Sequence, residues 1–517
     1  MKTFRQHPVL ILLVINLIIG LMTFRSYGLS WDEPLFYEYG ASVTYAYNPA
    51  NWFSGNFDIE NAFGASASDH ANRGPAYLLL AVPLISFLKW LSVDTASAWH
   101  LSNFLTFNLG VYLLYRLASK WMSREAALFV AALYAWQPLL WGHAFINPKD
   151  SVFMTFFIAS VYTSFGMVEK LTETDSASNL LTSRQIFKIV LLPAILLGLA
   201  TSIRILAPLA GLLAILYAIL ILKAKLFSRT NFIALTLFGV LALLSMVLAW
   251  PYLWIDPLHQ FRQVLQLASE HPASIQVLFS GELYRAYDLP QNYLPKLLIL
   301  TLTEPVLPLF FIGVLILVWK RKDWHALILI LLWFVIPLFY VVLSQPPLSD
   351  NYRHFLFILP PIFIFAGIAT DHIFGWLKTK WMVAVFSALL LLPGVYANIS
   401  LHPYEYTYYN NLASAVNGNY ETDYWLTCYR EAVLKFEQVA PQNAQLFVRR
   451  EPYIAAYYAS PNITIRDFRS EEKNVQTGDY YLVNTRANEQ LNFLKNDPAL
   501  IEISRQGNVF CLIKQVP

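Results

Sequence analysis

The most constraining feature of this chain is a series of long apolar runs that fills its first 397 residues. Each run holds about 17 to 24 residues, enough for a helix to cross a hydrocarbon core of about 30 Å. Because lipid offers no hydrogen bonds, a crossing segment must satisfy its own backbone, and the runs are therefore predicted to be helices. Eleven crossings are predicted, at residues 8–24, 98–115, 125–141, 152–168, 187–202, 205–222, 232–250, 296–318, 325–343, 355–375 and 381–397.

The composition excludes several classes of protein. Apolar residues make up 57% of the chain and charged residues 13%, against about 45–50% and about 25% in soluble domains. An ordinary soluble enzyme is therefore excluded. The net charge of +3 leaves no general basic surface for a nucleic acid. Cys428 and Cys511 make at most one disulfide and cannot supply a four-thiolate metal site or an iron–sulfur cluster.

The last 120 residues differ from the rest. Residues 398–517 contain 11 Lys or Arg and 13 Asp or Glu, or 20% charged, against about 11% before them. Helix-like and strand-like patterns alternate at 431–439, 445–449, 453–459, 463–468, 480–484, 488–494 and 508–513. The predicted fold class is an α-helical polytopic membrane module, residues 1–397, followed by a small α/β domain, residues 398–517. The Tyr-rich and Asn-rich segment 398–424 fits either an interfacial belt or an acceptor groove.

Positive charge decides the topology, because it favours the cytoplasmic side of a membrane. If the further apolar run 75–91 does not cross, 16 basic residues fall in loops on one side. The short loops on the other side then carry mainly Lys149, Arg204 and Arg353. The run is therefore predicted to be a juxtamembrane or re-entrant segment of a first external loop, residues 25–99. The N-terminus is predicted to lie inside and the C-terminus outside. Residues 8–24 lack a small-x-small cleavage site and are predicted to be a retained helix rather than a signal peptide.

Several carboxylates and cations share the outer side in this topology. Asp32 and Glu33 follow the first predicted span closely, where a carboxylate faces anything bound at the outer leaflet. An Asp-Glu-Pro sequence also starts helices, with Asp as the N-cap, and this capping role stays open. Asn147, Lys149 and Asp150 open a later helix. Capping alone would explain Asp150 as well.

Arginines mark two further points on this side. Arg204 lies between two predicted spans, and Arg353-His354 precedes another. The planar fork of a guanidinium matches phosphate oxygens, and a charge within a membrane usually faces a cavity and a partner. Both arginines also fit a simpler interpretation, in which long side chains reach the interface from a helix end. Glu304 stays open between a functional and an interfacial position.

Six segments are informative only when they are taken together. They are WDE at 31–33, RGPAYLLLAVPL at 73–84, HAFINPKDSVFM at 143–154, WPYLWIDP at 250–257, NYRHFLFILPP at 351–361, and HPYEYTYYNNLASAVNG at 402–418 followed by YETDYW and YREA. Together they resemble bacterial members of glycosyltransferase family 39. That family includes protein O-mannosyltransferases and is similar to the lipid A aminoarabinose transferases, all of the multi-span GT-C fold.

The resemblance implies an inverting transfer of a sugar from a polyprenyl-phosphate donor to an acceptor outside the membrane. It implies that Asp32 acts as general base or orients the acceptor hydroxyl. The leaving lipid phosphate needs cations, for which Arg204 and Arg353 are the first candidates and Lys149 the third. The remaining predicted substrate-binding residues are Glu33, Arg73, Asn147, Asp150 and His354. No cofactor beyond the donor lipid is predicted and no metal site is assigned, although a divalent cation is not excluded.

One departure from the family pattern concerns the acceptor. Arg73-Gly74-Pro75 stands where protein O-mannosyltransferases tend to carry His-Pro-Pro, and their extra luminal module has no counterpart. A glycan, a lipid and a protein therefore all stay open as acceptors. The predicted partners are membrane lipid, the donor and one such acceptor, without nucleic acid. The predicted location is the cytoplasmic membrane, with the active site and the C-terminal domain outside.

Two alternatives use the same residues differently. A transporter or flippase of lipid-linked saccharides would need the cavity and the cations but would break no bond; its usual mark, a repeat between halves, is not evident. A non-catalytic envelope assembly or sensor protein would depend on the external domain alone.

Overall fold

Helices that pack side by side make up most of the chain. The computed structural model describes residues 8–65, 70–176, 181–269, 275–320 and 323–517. In these ranges the membrane part contains α1 Val9–Thr23, α2 Glu33–Ser42, α3 Ala76–Trp90, α4 Thr95–Ala118, α5 Arg124–Ala135, α6 Pro138–His143, α7 Asp150–Ser176, α8 Ser183–Ile203, α9 Pro208–Leu222, α10 Arg229–Leu248, α11 Pro257–Ser269, α12 Tyr293–Thr301, α13 Val306–Lys320, α14 Trp324–Ser344, α15 Leu359–Phe374 and α16 Lys380–Leu401, leaving aside pieces of fewer than six residues.

Several of these helices begin at a side-chain cap. The side chains of Ser123, Thr182, Ser228 and Thr379 accept hydrogen bonds from the first turns of α5, α8, α10 and α16. Each cap lies on the side predicted to be cytoplasmic. Caps of this kind satisfy backbone N–H groups that the helix itself cannot, and so they fix where each helix starts.

The number of spans differs from the sequence prediction. Within the described residues, seven helices are long and apolar enough to cross a membrane, and the bent pair α12 and α13 makes an eighth if it is one span. The predicted count of eleven is therefore not confirmed. Helices α1 and α3 have only 15 residues each. The predicted run 125–141 is divided between α5 and α6, and the run 296–318 bends by 109° between α12 and α13.

The break between α5 and α6 and the bend between α12 and α13 are joined by hydrogen bonds. Gln137, between α5 and α6, donates its amide N–H to the carbonyl oxygen of Thr301 at 2.9 Å. Its amide oxygen accepts the backbone N–H of Thr303 at 3.1 Å. Backbone groups released by a broken helix must find partners inside the protein. The buried Gln137 thus holds both interruptions together, a pairing that apolar run length alone does not reveal.

The loop at residues 25–99, predicted to be external, folds down onto the helix bundle. Run 75–91 forms α3, which packs on α4 with the hydroxyls of Tyr77 and Ser102 3.0 Å apart. Before it, the indole of Trp250 donates to the carbonyl oxygen of Ala71 at 3.1 Å. Gly74 lies so close to the end of α8 that a Cβ there would be 1.5 Å from the carbonyl oxygen of Ser202.

Gly74→Ala is therefore expected to destabilise the protein, because neither backbone segment can rotate away from the added methyl. Forced overpacking of this kind costs about 1–3 kcal/mol. The measurement is the thermal unfolding midpoint in detergent. Gly166→Ala in α7 is the matched control, since no described atom outside its own helix lies within 4 Å of its Cβ position. Equal midpoints for the two variants would contradict the close approach.

The C-terminal domain is a small α/β unit. Its elements are α17 Cys428–Glu437, α18 Pro452–Tyr458, β3 Ala444–Val448, β4 Ile463–Asp467, β5 Tyr480–Asn484, β6 Ala499–Arg505 and β7 Asn508–Gln515; β1 Gln276–Phe279 and β2 Glu282–Arg285 form a hairpin in an earlier loop. The sheet order is β4-β3-β5-β7-β6. Strands β3, β4 and β5 are parallel, and β7 pairs antiparallel with β5 and β6. A disulfide between Cys428 and Cys511 joins α17 to β7.

This domain docks directly on the membrane module. His143 Nε2, at the end of α6, lies 3.0 Å from the hydroxyl of Tyr424. The Tyr27 hydroxyl donates to the carboxylate of Glu405 at 3.0 Å. The hydroxyl of Tyr458 in α18 accepts the N–H of Leu29 at 2.8 Å, close to the start of α2. These contacts flank the start of α2 and the end of α6, and the candidate site lies at this junction, called the cleft from here on.

Candidate active site

Asp32 lies at the start of α2, in the cleft between the membrane module and the C-terminal domain. Its Oδ2 accepts a hydrogen bond from Arg353 Nη1 at 3.0 Å. The side-chain amide of Asn147 lies 3.4 Å from the same oxygen. Although Asp32 is the helix N-cap by position, its side chain makes no capping hydrogen bond. The carboxylate therefore faces the cleft instead of its own helix, and 11% of the side chain stays exposed.

Charge keeps this carboxylate ionised. Burial by itself raises the pKa of Asp32, but the positive charges of Arg353 and Arg73 outweigh that effect. The pKa of Asp32 therefore lies below its ordinary value. A carboxylate in this state accepts hydrogen bonds throughout the neutral range.

Glu33 is fully buried, and its carboxylate is held by hydrogen bonds to neighbouring groups. Its two carboxylate oxygens accept the backbone N–H groups of Ser30 at 2.6 Å and of Asn147 at 3.0 Å. His100 Nε2 lies 3.3 Å away. These bonds tie the start of α2 to the segment between α6 and α7. Glu33 thus fixes the place from which Asp32 reaches the cleft.

The segment between α6 and α7 makes a tight turn. Asn147 has a φ of 60°, a left-handed conformation that asparagine tolerates. Its side-chain oxygen accepts the N–H of Lys149 at 3.0 Å, which closes the turn. The turn brings Lys149 and Asp150 into the cleft with Asp32, as the predicted convergence on one side required.

Lys149 is nearly buried. Its ammonium donates to the carbonyl oxygen of Gly74 at 2.8 Å and lies 3.5 Å from that of Ile203. It also lies 5.2 Å from the ring centroid of Phe36. The ammonium thus bridges the first external loop and the end of α8.

The ionisation of Lys149 is perturbed by its surroundings. Burial is the largest cause, and the charges of Arg204 and Arg73 add to it; Asp150 and Asp32 oppose it in part. The pKa of Lys149 lies well below its ordinary value as a result. An anion bound beside it would restore the charged form.

Asp150 and Arg204 form a buried ion pair. Asp150 Oδ1 accepts from Arg204 Nη2, and Asp150 Oδ2 lies 3.6 Å from Arg353 Nη1. The side chain of Asp150 is inaccessible, whereas 19% of the Arg204 side chain is exposed. Arg204 ends α8 with extended backbone angles, which turn its side chain out of the helix. Of this pair, Arg204 is the member that a bound molecule can touch.

Arg353 is surrounded by carboxylates. Besides Asp32 and Asp150, it pairs through Nη2 with Asp350 at 3.0 Å. Its guanidinium also lies over the ring of Trp425, 4.3 Å from the centroid. Arg353, which the sequence predicts to bind phosphate, thus forms ion pairs with three aspartates in this structure. Its neighbour His354 is half-buried.

Arg73 is half-buried and lies near enough to act electrostatically on Asp32, Lys149 and Arg204. The structure therefore brings eight of the nine predicted site residues together, and the ninth, His354, directly follows Arg353 in the chain. At this junction, five basic side chains lie among five carboxylates. The basic residues are Arg73, Lys149, Arg204, Arg353 and Arg486, and the acidic residues are Asp32, Glu33, Asp150, Asp350 and Glu421.

Some buried polar atoms here form no hydrogen bond within the described part of the chain. They include Oδ2 of Asp150, Nε of Arg204 and Nε of Arg353. Buried polar groups are usually hydrogen-bonded, and an unsatisfied group calls for an explanation such as a ligand. The two arginine Nε donors fit a bound anion, whereas the free Asp150 oxygen fits a hydrogen-bond donor such as a hydroxyl group. No group of three or more His, Cys, Asp or Glu side chains among the described residues is arranged to hold a metal ion.

Sequence reasoning missed three contributors. Asp350 has a signal, since it immediately precedes the segment 351–361 that carries part of the resemblance. Trp425 and Arg486 belong to the C-terminal domain, where no phosphate or metal motif points to them. Arg486 donates to Asp350 at 2.6 Å and thereby joins that domain to the cleft.

Comparisons with known proteins bear on this architecture. No protein-family model and no curated protein sequence matches the chain. Several solved structures are similar to it, and three of them are described here. ArnT from Cupriavidus metallidurans bound to undecaprenyl phosphate aligns over 98% of this chain and 97% of its own, with 13% identity and a TM-score of 0.50.

Two structures from Archaeoglobus fulgidus give a similar result. The apo oligosaccharyltransferase aligns over 94% of this chain and 70% of its own, with 12% identity and a TM-score of 0.53. AglB in complex with an inhibitory peptide and a dolichol-phosphate aligns over 95% and 71%, with 12% identity and a TM-score of 0.51. The chain has the GT-C fold. This agrees with the fold that the sequence predicts and does not distinguish family 39 within it.

Proposed function

We propose that this chain is an inverting membrane glycosyltransferase. It moves a sugar from a polyprenyl-phosphate donor to a glycan, lipid or protein acceptor on the outer side of the cytoplasmic membrane. The observation that carries the proposal is the ionised, partly exposed carboxylate of Asp32 beside a cationic, incompletely satisfied cleft. The GT-C neighbours add support, because one is bound to undecaprenyl phosphate and another to a dolichol-phosphate.

The donor phosphate is assigned to the exposed end of the cationic cluster. Arg204 has an exposed edge and a buried Nε without a hydrogen bond. Arg73 lies beside it, and Lys149 is close enough to feel the charge of both. Cations at this point stabilise the negative charge that the leaving lipid phosphate acquires. Asp150 holds the Arg204 guanidinium in place through its buried ion pair.

Asp32 is assigned to the acceptor. The acceptor hydroxyl oxygen attacks the anomeric carbon, the bond from that carbon to the phosphate oxygen breaks, and the hydroxyl proton passes to Asp32 Oδ2 or Oδ1. One carboxylate opposite the leaving group suffices for such an inversion. The lowered pKa of Asp32 favours a carboxylate that orients the hydroxyl early and takes its proton late.

The remaining predicted residues are given supporting roles in this proposal. Glu33 and Asn147 fix the position of Asp32, through the hydrogen bonds described above. Arg353 holds Asp32 ionised, and His354, half-buried beside it, is assigned to an acceptor contact. The donor lipid is the only cosubstrate in this scheme, and no nucleic acid takes part.

Two observations support the outer side of the membrane as the place of reaction. Disulfides such as Cys428–Cys511 form mainly in oxidising compartments, outside the cytosol. Basic residues, meanwhile, concentrate in the loops on the opposite side from the cleft. Both observations support a C-terminal domain and an active site on the outer side of the membrane.

The test follows sugar leaving the lipid. Purified protein in nanodiscs is incubated with a panel of labelled polyprenyl-phosphate sugars and an envelope extract. Transfer of label to an acceptor by the wild type, lost in Asp32→Asn, is the expected result, and it names the donor. No transfer from any donor, with label crossing the wall of sealed vesicles, would replace the proposal by a flippase.

The ionisation of Lys149 gives a pH prediction. Because its folded pKa is lowered, its ammonium loses the proton at a lower pH than an ordinary lysine, so donor binding weakens early on the alkaline side. The KM for donor is expected to rise between neutral pH and about pH 10. Lys149→Arg, which stays protonated, is expected to abolish this rise. Lys435→Arg, at an exposed pair with Glu431, is the control; an unchanged profile in Lys149→Arg would remove Lys149 from the donor site.

A further inference from the structure

The carboxyl end of the C-terminal sheet points at the candidate site. Strand β3 is followed through α18 by β4 on one side, while β5 pairs with β3 on the other side. The chain thus reverses its direction of winding between β3 and β5. In open α/β sheets, functional residues lie outside the carboxyl ends of the strands at such a reversal. The residue two positions beyond the end of β5 is Arg486.

Arg486 is almost completely buried at the junction of the two domains. Its Nη2 donates to Asp350 Oδ1 at 2.6 Å, and its Nη1 donates to the carbonyl oxygen of Tyr424 at 3.1 Å. Its guanidinium also lies 5.2 Å from the ring centroid of Trp31. Two of these three partners belong to the membrane module.

Both of these partners, Asp350 and Trp31, are connected to Asp32. Asp350 is shared between Arg486 and Arg353, and Arg353 in turn donates to Asp32 at 3.0 Å. Trp31 immediately precedes Asp32 in the chain. One side chain of the C-terminal domain thus contacts both the ion pairs that reach Asp32 and the indole ring of the residue before it.

We infer that Arg486 is a positioning residue for the transfer reaction, through which the C-terminal domain sets the place and the ionisation of Asp32. The inference rests on the proposed function and goes beyond it, because it makes the external domain part of the reaction centre. When Arg486 is removed, Asp350 pairs with Arg353 alone and draws it away from Asp32. The attraction between Arg353 and the Asp32 carboxylate then weakens, and the Asp32 carboxyl group titrates at a higher pH.

Other charged groups also face these two aspartates. Those around Asp32 are Arg353, Arg73, His70, Lys149 and Tyr453. Those around Asp350 are Arg353, Arg486, Glu421, Tyr293 and Tyr424. None of the groups around Asp32 forms a hydrogen bond with Arg486 in the bonds described. Arg486 reaches them through Asp350, through Trp31 and through charge repulsion with Arg353.

The same domain offers a closely matched control. Arg505 donates through Nη2 to Glu431 at 2.7 Å and through Nε to the carbonyl oxygen of His402 at 3.1 Å. Its guanidinium lies 5.2 Å from the ring centroid of Tyr404. Arg505 therefore makes the same three kinds of contact as Arg486, away from the cleft.

The experiment compares Arg486→Met and Arg486→Lys with Arg505→Met in the full chain in nanodiscs. Arg486→Met is expected to lower kcat for transfer about 100-fold, to leave the KM for donor unchanged and to move the acid limb of the pH profile to higher pH. Arg486→Lys, which keeps the charge without the planar fork, is expected to recover part of the rate. Arg505→Met is expected to lower the unfolding midpoint alone.

Hydrogen exchange separates this inference from the proposed function. Arg486→Met is expected to speed exchange in the peptide that spans residues 28–36, and Arg505→Met is not. Equal exchange there, with an unmoved acid limb or a kcat loss that only follows stability, would overturn the positioning role. If the wild type transfers no sugar from any donor, the proposed function fails, and the exchange of this peptide alone decides whether Arg486 places Asp32.

Discussion

Asp32→Asn is expected to lower kcat for sugar transfer by about 10²- to 10⁴-fold, the usual contribution of a positioned proton acceptor. Asparagine keeps the size of the side chain and its contact with Arg353, but it cannot take the hydroxyl proton. Because the donor phosphate is assigned to Arg204, Arg73 and Lys149, the dissociation constant for unlabelled polyprenyl phosphate is expected to change little. A rate within a few-fold of wild type would exclude Asp32 as the proton acceptor.

Asp94→Asn provides the matched control for this prediction. Asp94 is the N-cap of α4, and its carboxylate accepts the N–H of Ser97 at 3.0 Å. Asparagine caps helices about as well as aspartate, so neither folding nor transfer is expected to change. The pair of variants therefore makes the same chemical change at two aspartates of one loop, residues 25–99. Only the aspartate in the cleft is expected to affect the rate.

Apolar run length and local pattern could predict the class of fold and much of the C-terminal domain. The patterned segment at 480–484 is a strand, β5 Tyr480–Asn484. Strand β6, Ala499–Arg505, was missed because it lies at the edge of the sheet and only Ile503 is buried, which leaves a weak apolar alternation. The bend between α12 and α13 was missed for the opposite reason, since the sequence is apolar on both sides of it.

The candidate site could be predicted only to the level of a shared membrane face. Charge bias placed Asp32 and Arg353 on one side, but 321 residues separate them, and one sequence carries no sign that they pair. The prediction that Arg353 contacts phosphate follows from its residue type alone. In the structure, three aspartates surround it. Arg486 could not be predicted at all, because its role depends on how two domains meet.

The energetics of Arg353 follow from those neighbours. A cation that serves only to bind phosphate is repelled by the other cations of an unoccupied site, and its removal relieves that repulsion. Removing a cation that is buried among carboxylates is destabilising instead. It leaves a buried negative charge without a partner and lowers the free energy of unfolding by about 3–5 kcal/mol. Asp150 keeps Arg204 and Asp350 keeps Arg486 as partners. Asp32 loses the only ion pair that it makes among the described residues.

Arg353→Met is therefore expected to reduce the free energy of unfolding in mixed micelles by about 3–5 kcal/mol. Arg466→Met, at a partly exposed pair with Glu471, is the control, with an expected loss within about 1 kcal/mol. In an Asp32→Asn background the loss from Arg353→Met is expected to shrink by about 0.5–3 kcal/mol, because the orphaned charge is already gone. An Arg353→Met variant as stable as wild type would instead assign Arg353 to the phosphate, as its residue type alone suggests.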